Sequence, residues 1–216
     1  MYQIKIIKKN IKHIYIRIKP PANIVISAPH QTTPKTIDNL LKQKENWIKK
    51  QFKSLKLQSS QDLEYSDGEE FYFLGKCYQL QLHHAPYSHI QIDAKQLKLY
   101  TPNPNSKEHK QQLIEQWYYE QAKIYFEKAV AKYHPIVNRP IHKIRIKKMK
   151  TRWGSCNHSK GYINLNVELL KKPIESLEYV VFHELVHLIH PNHSRDFYDF
   201  IAQYMPDWKH RVKALH

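Results

Sequence analysis

In a chain of 216 residues, 35 Lys and Arg stand against 19 Asp and Glu, a formal charge of +16, while 41% of the residues are apolar and 12% aromatic. That balance excludes an acidic disordered tail and a disordered polycation, and the length suffices for one large core or two small ones. Four Gly against twelve Pro argue against a glycine-rich phosphate loop or a repeat, and a mean hydropathy of −0.69 argues against a membrane span.

The first elements are strands. Ile4 and Ile6, then Ile14, Ile16 and Ile18, then Ile24 and Ile26 recur at period two with breaks at Asn10 and Pro20-Pro21, which predicts a small antiparallel meander. MYQIKIIKKN alternates charge with isoleucine where a signal peptide needs an unbroken apolar stretch, and Cys77 and Cys156 are too few for a disulfide framework. The expected location is the cytoplasm. Residues 34–57 change to helical spacing: Pro34 suits a first turn, and Ile37, Leu40, Leu41, Trp47, Ile48, Phe52 and Leu55 form an apolar stripe opposite a lysine-rich face. A polar stretch, QSSQDLEYSDG, separates this helix from four short strands expected at Phe71–Leu74, Tyr78–Leu82, His89–Ile92 and Leu97–Tyr100, closed by the turn TPNPNS.

A long amphipathic helix is predicted from Ser106 to Tyr133, ending before Pro135. IHKIRIKKMKTR at 141–152 alternates as a strand, and GYINL at 161–165 pairs with it or with its extension through the turn NHSKG. An apolar helix follows from Pro173 to about His190, and a last one starts at Ser194 with Phe197, Phe200, Ile201 and Tyr204 on one side. Strands early and helices late predict an α+β fold, with a β-rich N-terminal region at 1–105 that carries one helix and a second domain at 106–216.

The chemistry concentrates in Tyr179–His193, YVVFHELVHLIHPNH. His183 and His187 are four apart, so on a helix both imidazoles leave one face at a separation that a tetrahedral zinc can bridge. Glu184 follows the first histidine directly and is held beside the metal, ready to take a proton from a water whose pKa the metal has lowered. On an unbroken helix His193 would sit roughly 240° around from His187. Pro191 ends the helix and Asn192 tolerates the left-handed turn that brings the chain back, which makes His193 the third ligand and leaves a fourth position open. One zinc ion is therefore expected, although three imidazoles also accept other divalent metals.

The segment Thr151–Cys156, TRWGSC, lies between strand and turn along one side of this helix. Arg152, Ser155 and His190 are the candidates for substrate contact, with an ion pair the alternative for Arg152 and a rim or capping position the alternative for His190. Cys156 reads better as a small buried residue than as a thiolate ligand, Trp153 as packing, and Gly154 as permitting a close backbone approach or a bulge.

RWGSC at 152–156, INLN at 163–166 and HELVHLIHPNHSRDF at 183–197, together with Trp47-Ile48 and LGKCYQL at 74–80, resemble the YgjP-like metal-dependent hydrolases, which are predicted metallopeptidases of the zincin type. The resemblance runs over nearly the whole chain. It implies a zincin-like C-terminal domain, with His183, His187 and His193 as ligands and Glu184 as general base.

Three substrate classes follow from the residues. A peptidase would direct the activated water at a peptide carbonyl and hold an extended substrate against the 141–152 or 151–156 segment. A phosphohydrolase acting on nucleotides would use Lys143, Arg145 and Lys147, which alternate onto one face of the strand leading into RWGSC. A nucleic-acid-associated zinc module would use the basic N-terminus, since residues 1–60 hold +11 of the charge, residues 61–150 hold +4 and residues 151–216 only +1. The peptidase is expected ahead of the other two.

Overall fold

A computed structural model describes residues 3–19, 23–49 and 63–215. The chain divides into two compact units, Met1–Leu63 and Glu64–His216. The boundary expected at 105/106 falls inside the second unit, just before its long helix.

In the first unit, β1 (Gln3–Lys9), β2 (Tyr15–Lys19) and β3 (Asn23–Pro29) form a sheet in the order β1-β3-β2. β3 is antiparallel to β2 but parallel to β1, so the predicted antiparallel meander is corrected to a mixed sheet. Composition explains the order. β3 (NIVISAP) carries no charge and takes the centre, with Ile24, Ile26 and Ala28 fully buried, while the charged β1 and β2 take the edges, where Lys5, Lys9 and Arg17 are exposed. Helix α1 (Pro34–Gln43) is capped by Thr33, whose hydroxyl accepts the Thr36 N–H at 3.2 Å, and it lays Ile37 and Leu41 on β3. The helical path loosens at Lys44, but the Lys44 and Ile48 N–H groups still donate four residues back, and the helix resumes at 45–49 with Ile48 buried in line with Ile37 and Trp47 turned out at 42% exposure, off the stripe predicted for it. The remainder of the expected helix, 50–57, lies outside the described residues.

The second unit begins with a four-stranded sheet of β4 (Glu70–Phe73), β5 (Lys76–His84), β6 (His89–Asp93) and β7 (Gln96–Thr101), in the order β4-β5-β7-β6 with β5 and β7 parallel. Leu74 and Gly75 turn β4 into β5 with φ of 48° and 78°, the positive values a two-residue hairpin turn needs. The Leu74 N–H donates to the Leu170 carbonyl at 2.7 Å, and a Cβ on Gly75 would stand 3.0 Å from Pro173. The LGKC turn is thereby fixed against the start of a later helix, α3 (Ile174–Val186).

Helix α2 (Lys107–Val137) starts at Ser106, whose hydroxyl accepts the His109 N–H, and it runs a turn past the predicted stop. Pro135 falls within its last turn, and Asn138, left-handed at φ 47°, ends it by donating its N–H to the His134 carbonyl. Next come β8 (Lys143–Lys147), β9 (Gly154–Asn157) and β10 (Tyr162–Asn166), with β10 central, parallel to β8 and antiparallel to β9. The strand predicted over 141–152 stops at Lys147, because the buried Asn166 amide accepts the Met149 N–H at 3.2 Å and donates to the Met149 and Arg152 carbonyls at 2.9 and 2.8 Å. These bonds engage the Met149 N–H and the Met149 and Arg152 carbonyls without a ladder.

Three helices complete the chain: α3, α4 (Arg195–Tyr204) and α5 (Trp208–Lys213). α3 packs along α2 and is buried on nearly every side, with Leu177, Phe182, Leu185 and Val186 at 0% exposure. It ends at Val186, a turn before the predicted end near His190, because Leu188 and Ile189 donate to the Leu185 and Val186 carbonyls three residues back and tighten the chain.

On α3, Glu178 accepts hydrogen bonds from Lys132 at 2.8 Å, from the Tyr133 hydroxyl at 2.9 Å and from Arg211 at 3.0 Å, tying α2, α3 and α5 together. Burial alone would raise this carboxyl, but the three donors outweigh it and hold it below the ordinary carboxylate range. A depressed folded pKa gives stability that is present above the unfolded value and lost as pH falls through the folded one. Glu178→Gln is expected to lower stability by about 1–2 kcal/mol at pH 7. In urea melts across pH, the gap to wild type should close below about pH 4.

Candidate metal centre

The polar residues of an otherwise apolar helix meet at its C-terminal end. His183 lies in the last turn of α3, and His187, its cap residue, keeps helical angles (φ −60°, ψ −17°), so the two imidazoles stay on one face with ring centroids 4.8 Å apart. Beyond the tightened turn and Pro191, the Ser194 N–H donates to the Asn192 carbonyl at 2.8 Å, and the Ser194 hydroxyl caps α4. His193, held between that turn and that cap, returns toward α3 with its Nε2 3.0 Å from Nε2 of His183.

One ring nitrogen from each of His183, His187 and His193 lies within 4.8 Å of the other two. Among the described residues this is the one group of three or more metal-binding side chains so placed. Phe197, fully buried on the first turn of α4, sits against all three imidazoles, its ring centroid 4.9, 4.7 and 4.8 Å from theirs. The outer nitrogens of the two helical histidines are occupied. Nδ1 of His187 donates to the His190 carbonyl at 3.1 Å, which leaves its Nε2 unprotonated for the centre, and Nδ1 of His183 is 3.2 Å from the Tyr179 hydroxyl. Burial, reinforced by the neighbouring His187 and His193, pushes His183 down to about 3, and burial also lowers His187. Neutral imidazoles are the form that binds a metal. Two ligands on a tetrahedral zinc stand about 3.3 Å apart, close to the 3.0 Å between His183 and His193. The donor set fits such an ion.

Glu184 is 6% exposed, and burial pushes its carboxyl up to about 8 against the opposing pull of the Arg152 guanidinium. β9 lies directly upon it. A Cβ on Gly154 would stand 2.6 Å from both Cγ and Oε1 of Glu184, so only glycine lets the strand approach so closely, as the sequence suggests. Cys156, two residues along on the same face, has its thiol pushed up to about 12 by burial and by the charge of Glu184, the opposite of what a thiolate ligand needs.

The other candidates divide by face. Ser155 alternates away from Glu184, and its hydroxyl accepts from Asn164 at 3.0 Å. Lys143, Arg145 and Lys147 pair with Tyr162, Asn164 and Asn166, the register positions of the Ser155 face, whereas Gly154 pairs with Leu165. The basic strip is therefore on the opposite side of the sheet from Glu184, and Arg145 lies over the Tyr162 ring. Arg152 is exposed but near enough to act on Glu184, and His190 contributes its carbonyl while its ring lies 5.7 Å from that of Phe200. Phe197 and Tyr179 read in sequence only as core residues, since an aromatic at helical spacing carries no sign of the imidazoles it will touch.

A family model described as YgjP-like, metallopeptidase domain, matches residues 12–216, and the chain belongs to that family. It is thus a metallopeptidase, a hydrolase with a catalytic metal and a polypeptide substrate. Comparison with curated proteins gives no match. Among solved structures the chain is similar to the metallopeptidase zymogen abylysin of Pyrococcus abyssi, with 25% identity, a TM-score of 0.36 and coverage of 44% of this chain and 90% of that one. It is also similar to the metallopeptidase zymogen jannalysin of Methanocaldococcus jannaschii, with 22% identity, a TM-score of 0.33 and coverage of 42% and 85%.

The Gly154 contact is testable. Gly154→Ala must displace Glu184 or β9, and a shift of about 1 Å costs on the order of 100-fold in rate. Turnover of an unstructured polypeptide by Gly154→Ala is expected to fall by about that factor while metal content, read by atomic emission, stays at the wild-type level.

Proposed function

We propose that this chain is a zinc metallopeptidase in which His183, His187 and His193 hold the ion and Glu184 is the general base. The observation that carries the proposal is the meeting of three imidazole nitrogens within 4.8 Å, next in sequence to a carboxylate that is 6% exposed. Three imidazoles with a fourth position left to water or substrate form the donor set of a catalytic zinc. When bound there, the ion would lower the pKa of a coordinated water and polarise the substrate carbonyl.

The remaining work falls to the chain itself. Glu184 accepts a proton from the attacking water and passes it to the departing amine. Gly154 leaves room for that carboxylate, and Phe197 keeps the imidazoles packed from beneath. β9 is an edge strand, with β10 on one side only, and it runs beside Glu184. An extended substrate adding to its outer edge would satisfy that strand's backbone groups and pass its carbonyls by the carboxylate.

The nucleotide reading loses its support with the basic strip, which faces away from Glu184. No helix among the described residues is long and apolar enough to cross a membrane, and both cysteines are free thiols, which supports a reducing, cytoplasmic setting.

Glu184→Gln should retain zinc yet lose polypeptide hydrolysis by about 10²- to 10⁴-fold, the range for removal of a positioned base. Wild type and variant, assayed in parallel on unstructured polypeptides and nucleoside triphosphates, decide the matter. A variant that cleaves polypeptide at the wild-type rate, or a Glu184-dependent activity confined to the triphosphates, would refute the assignment.

A further inference from the structure

His193 differs from its two partners in how it is held. His183 and His187 belong to a buried helix end, whereas His193 is exposed and lies in an irregular segment, 190–194, with no ladder or helix of its own. The Ser194 turn and cap place its backbone, so the orientation of its ring must come from what the ring touches. Phe197 is beneath it, and Tyr198 stacks beside it with ring centroids 6.0 Å apart and planes 24° apart. Tyr198 in turn stacks on Trp208 at 5.2 Å and 22°, and Trp208 stacks on Tyr179 at 6.3 Å and 13°. Tyr179 closes the circuit through its hydroxyl, 3.2 Å from Nδ1 of His183. The aromatic series therefore runs from the third imidazole back to the first without passing through the metal-binding nitrogens.

Trp208 is the middle of that series, and it is anchored from outside. It opens α5, and Arg211 one turn on donates to the Glu178 carboxylate at 3.0 Å and, from Nε, to both Asp207 oxygens at 2.9 Å. The hydroxyl of the fully buried Ser176 donates to the Arg211 carbonyl at 2.8 Å. α5 is thus bonded to the first half of α3, and the indole is set between Tyr179 and Tyr198 by a helix that is itself fixed to the helix carrying His183.

We infer that Tyr198 and Trp208 are positioning residues for the third ligand, holding the His193 ring where a metal ion needs it. This rests on the reading that the three histidines bind a metal. The physical argument is one of entropy: an exposed imidazole on an irregular segment loses rotamer freedom when it binds, and a stacked neighbour that already restricts the ring removes part of that cost before the ion arrives. Neither residue touches the ion, so their substitution acts through affinity, and the loss of an outer partner of a ligand typically weakens binding by about 10- to 100-fold.

The test is the zinc dissociation constant of the full chain, measured by competition with a chromophoric chelator. Trp208→Ala is expected to weaken zinc by about 10- to 100-fold, and Trp208→Phe, which keeps a stacking ring, to recover most of that loss. Tyr198→Leu leaves Trp208 in place and breaks the link to His193, so it should weaken zinc similarly and serves if Trp208→Ala does not fold. In a His193→Ala background the Trp208 substitution should cost nothing further, because the ring it positions is gone. A Trp208→Ala variant that melts earlier with and without zinc yet keeps the wild-type constant would overturn the inference. An equal loss in the His193→Ala background would overturn it too. If wild type binds no zinc, or His193→Ala binds it as tightly as wild type, the metal-centre reading itself has failed and this inference falls with it.

Discussion

At Gly154 the backbone of β9 comes so near to Glu184 that a single methyl group there would stand 2.6 Å from its Cγ and Oε1. That contact removes water from one side of the carboxylate, which is why burial dominates its ionisation and lifts it to about 8. It also sets β9, one of the two edge strands of its sheet, alongside α3 and beside the carboxylate. The contact depends on Asn166, whose amide holds residues 149–152 and delivers the chain into β9. A polar side chain that is 3% exposed with every hydrogen-bonding atom engaged is a rigid support, because losing any one partner would leave a buried group unpaired.

The histidines depend on a second constraint, the end of α3. A helix that continued to His190 would carry the chain away from its own face, and His193 could not return. The tightened turn at 187–189, followed by Pro191 and the Ser194 cap, reverses the chain within one short segment. Phe197, one turn past His193, then fills the space beneath the three rings. The centre is thus assembled from a buried helix end, a turn and the first turn of the next helix.

The sequence made the α+β class, the family and the histidine set legible because each has a local signature: alternation, helical spacing, HExxH and a helix breaker before a third histidine. What stayed hidden was set by distant partners. β1 and β2 carry similar isoleucine patterns, and only competition for the middle of the sheet, won by the uncharged β3, made one pairing parallel. The stop of β8 at Lys147 was written at Asn166, nineteen positions on. α2 ran through Pro135 because a proline in the last turn forfeits a single hydrogen bond, too little to undo a helix packed along α3. The basic strip on β8 looked like a phosphate site until the register put it on the far face.

The charge of +16 that dominates the composition therefore says little about the reaction. The neutral C-terminal third holds the imidazoles, the buried carboxylate and the aromatic rings, and the account stands or falls on those imidazoles being the ligands. The most direct measurement is the zinc K-edge X-ray absorption spectrum of the purified, zinc-loaded chain. Three imidazole nitrogens and one light atom at about 2.0–2.1 Å are expected. A sulfur scatterer at about 2.3 Å, or fewer than three imidazoles, would contradict the assignment.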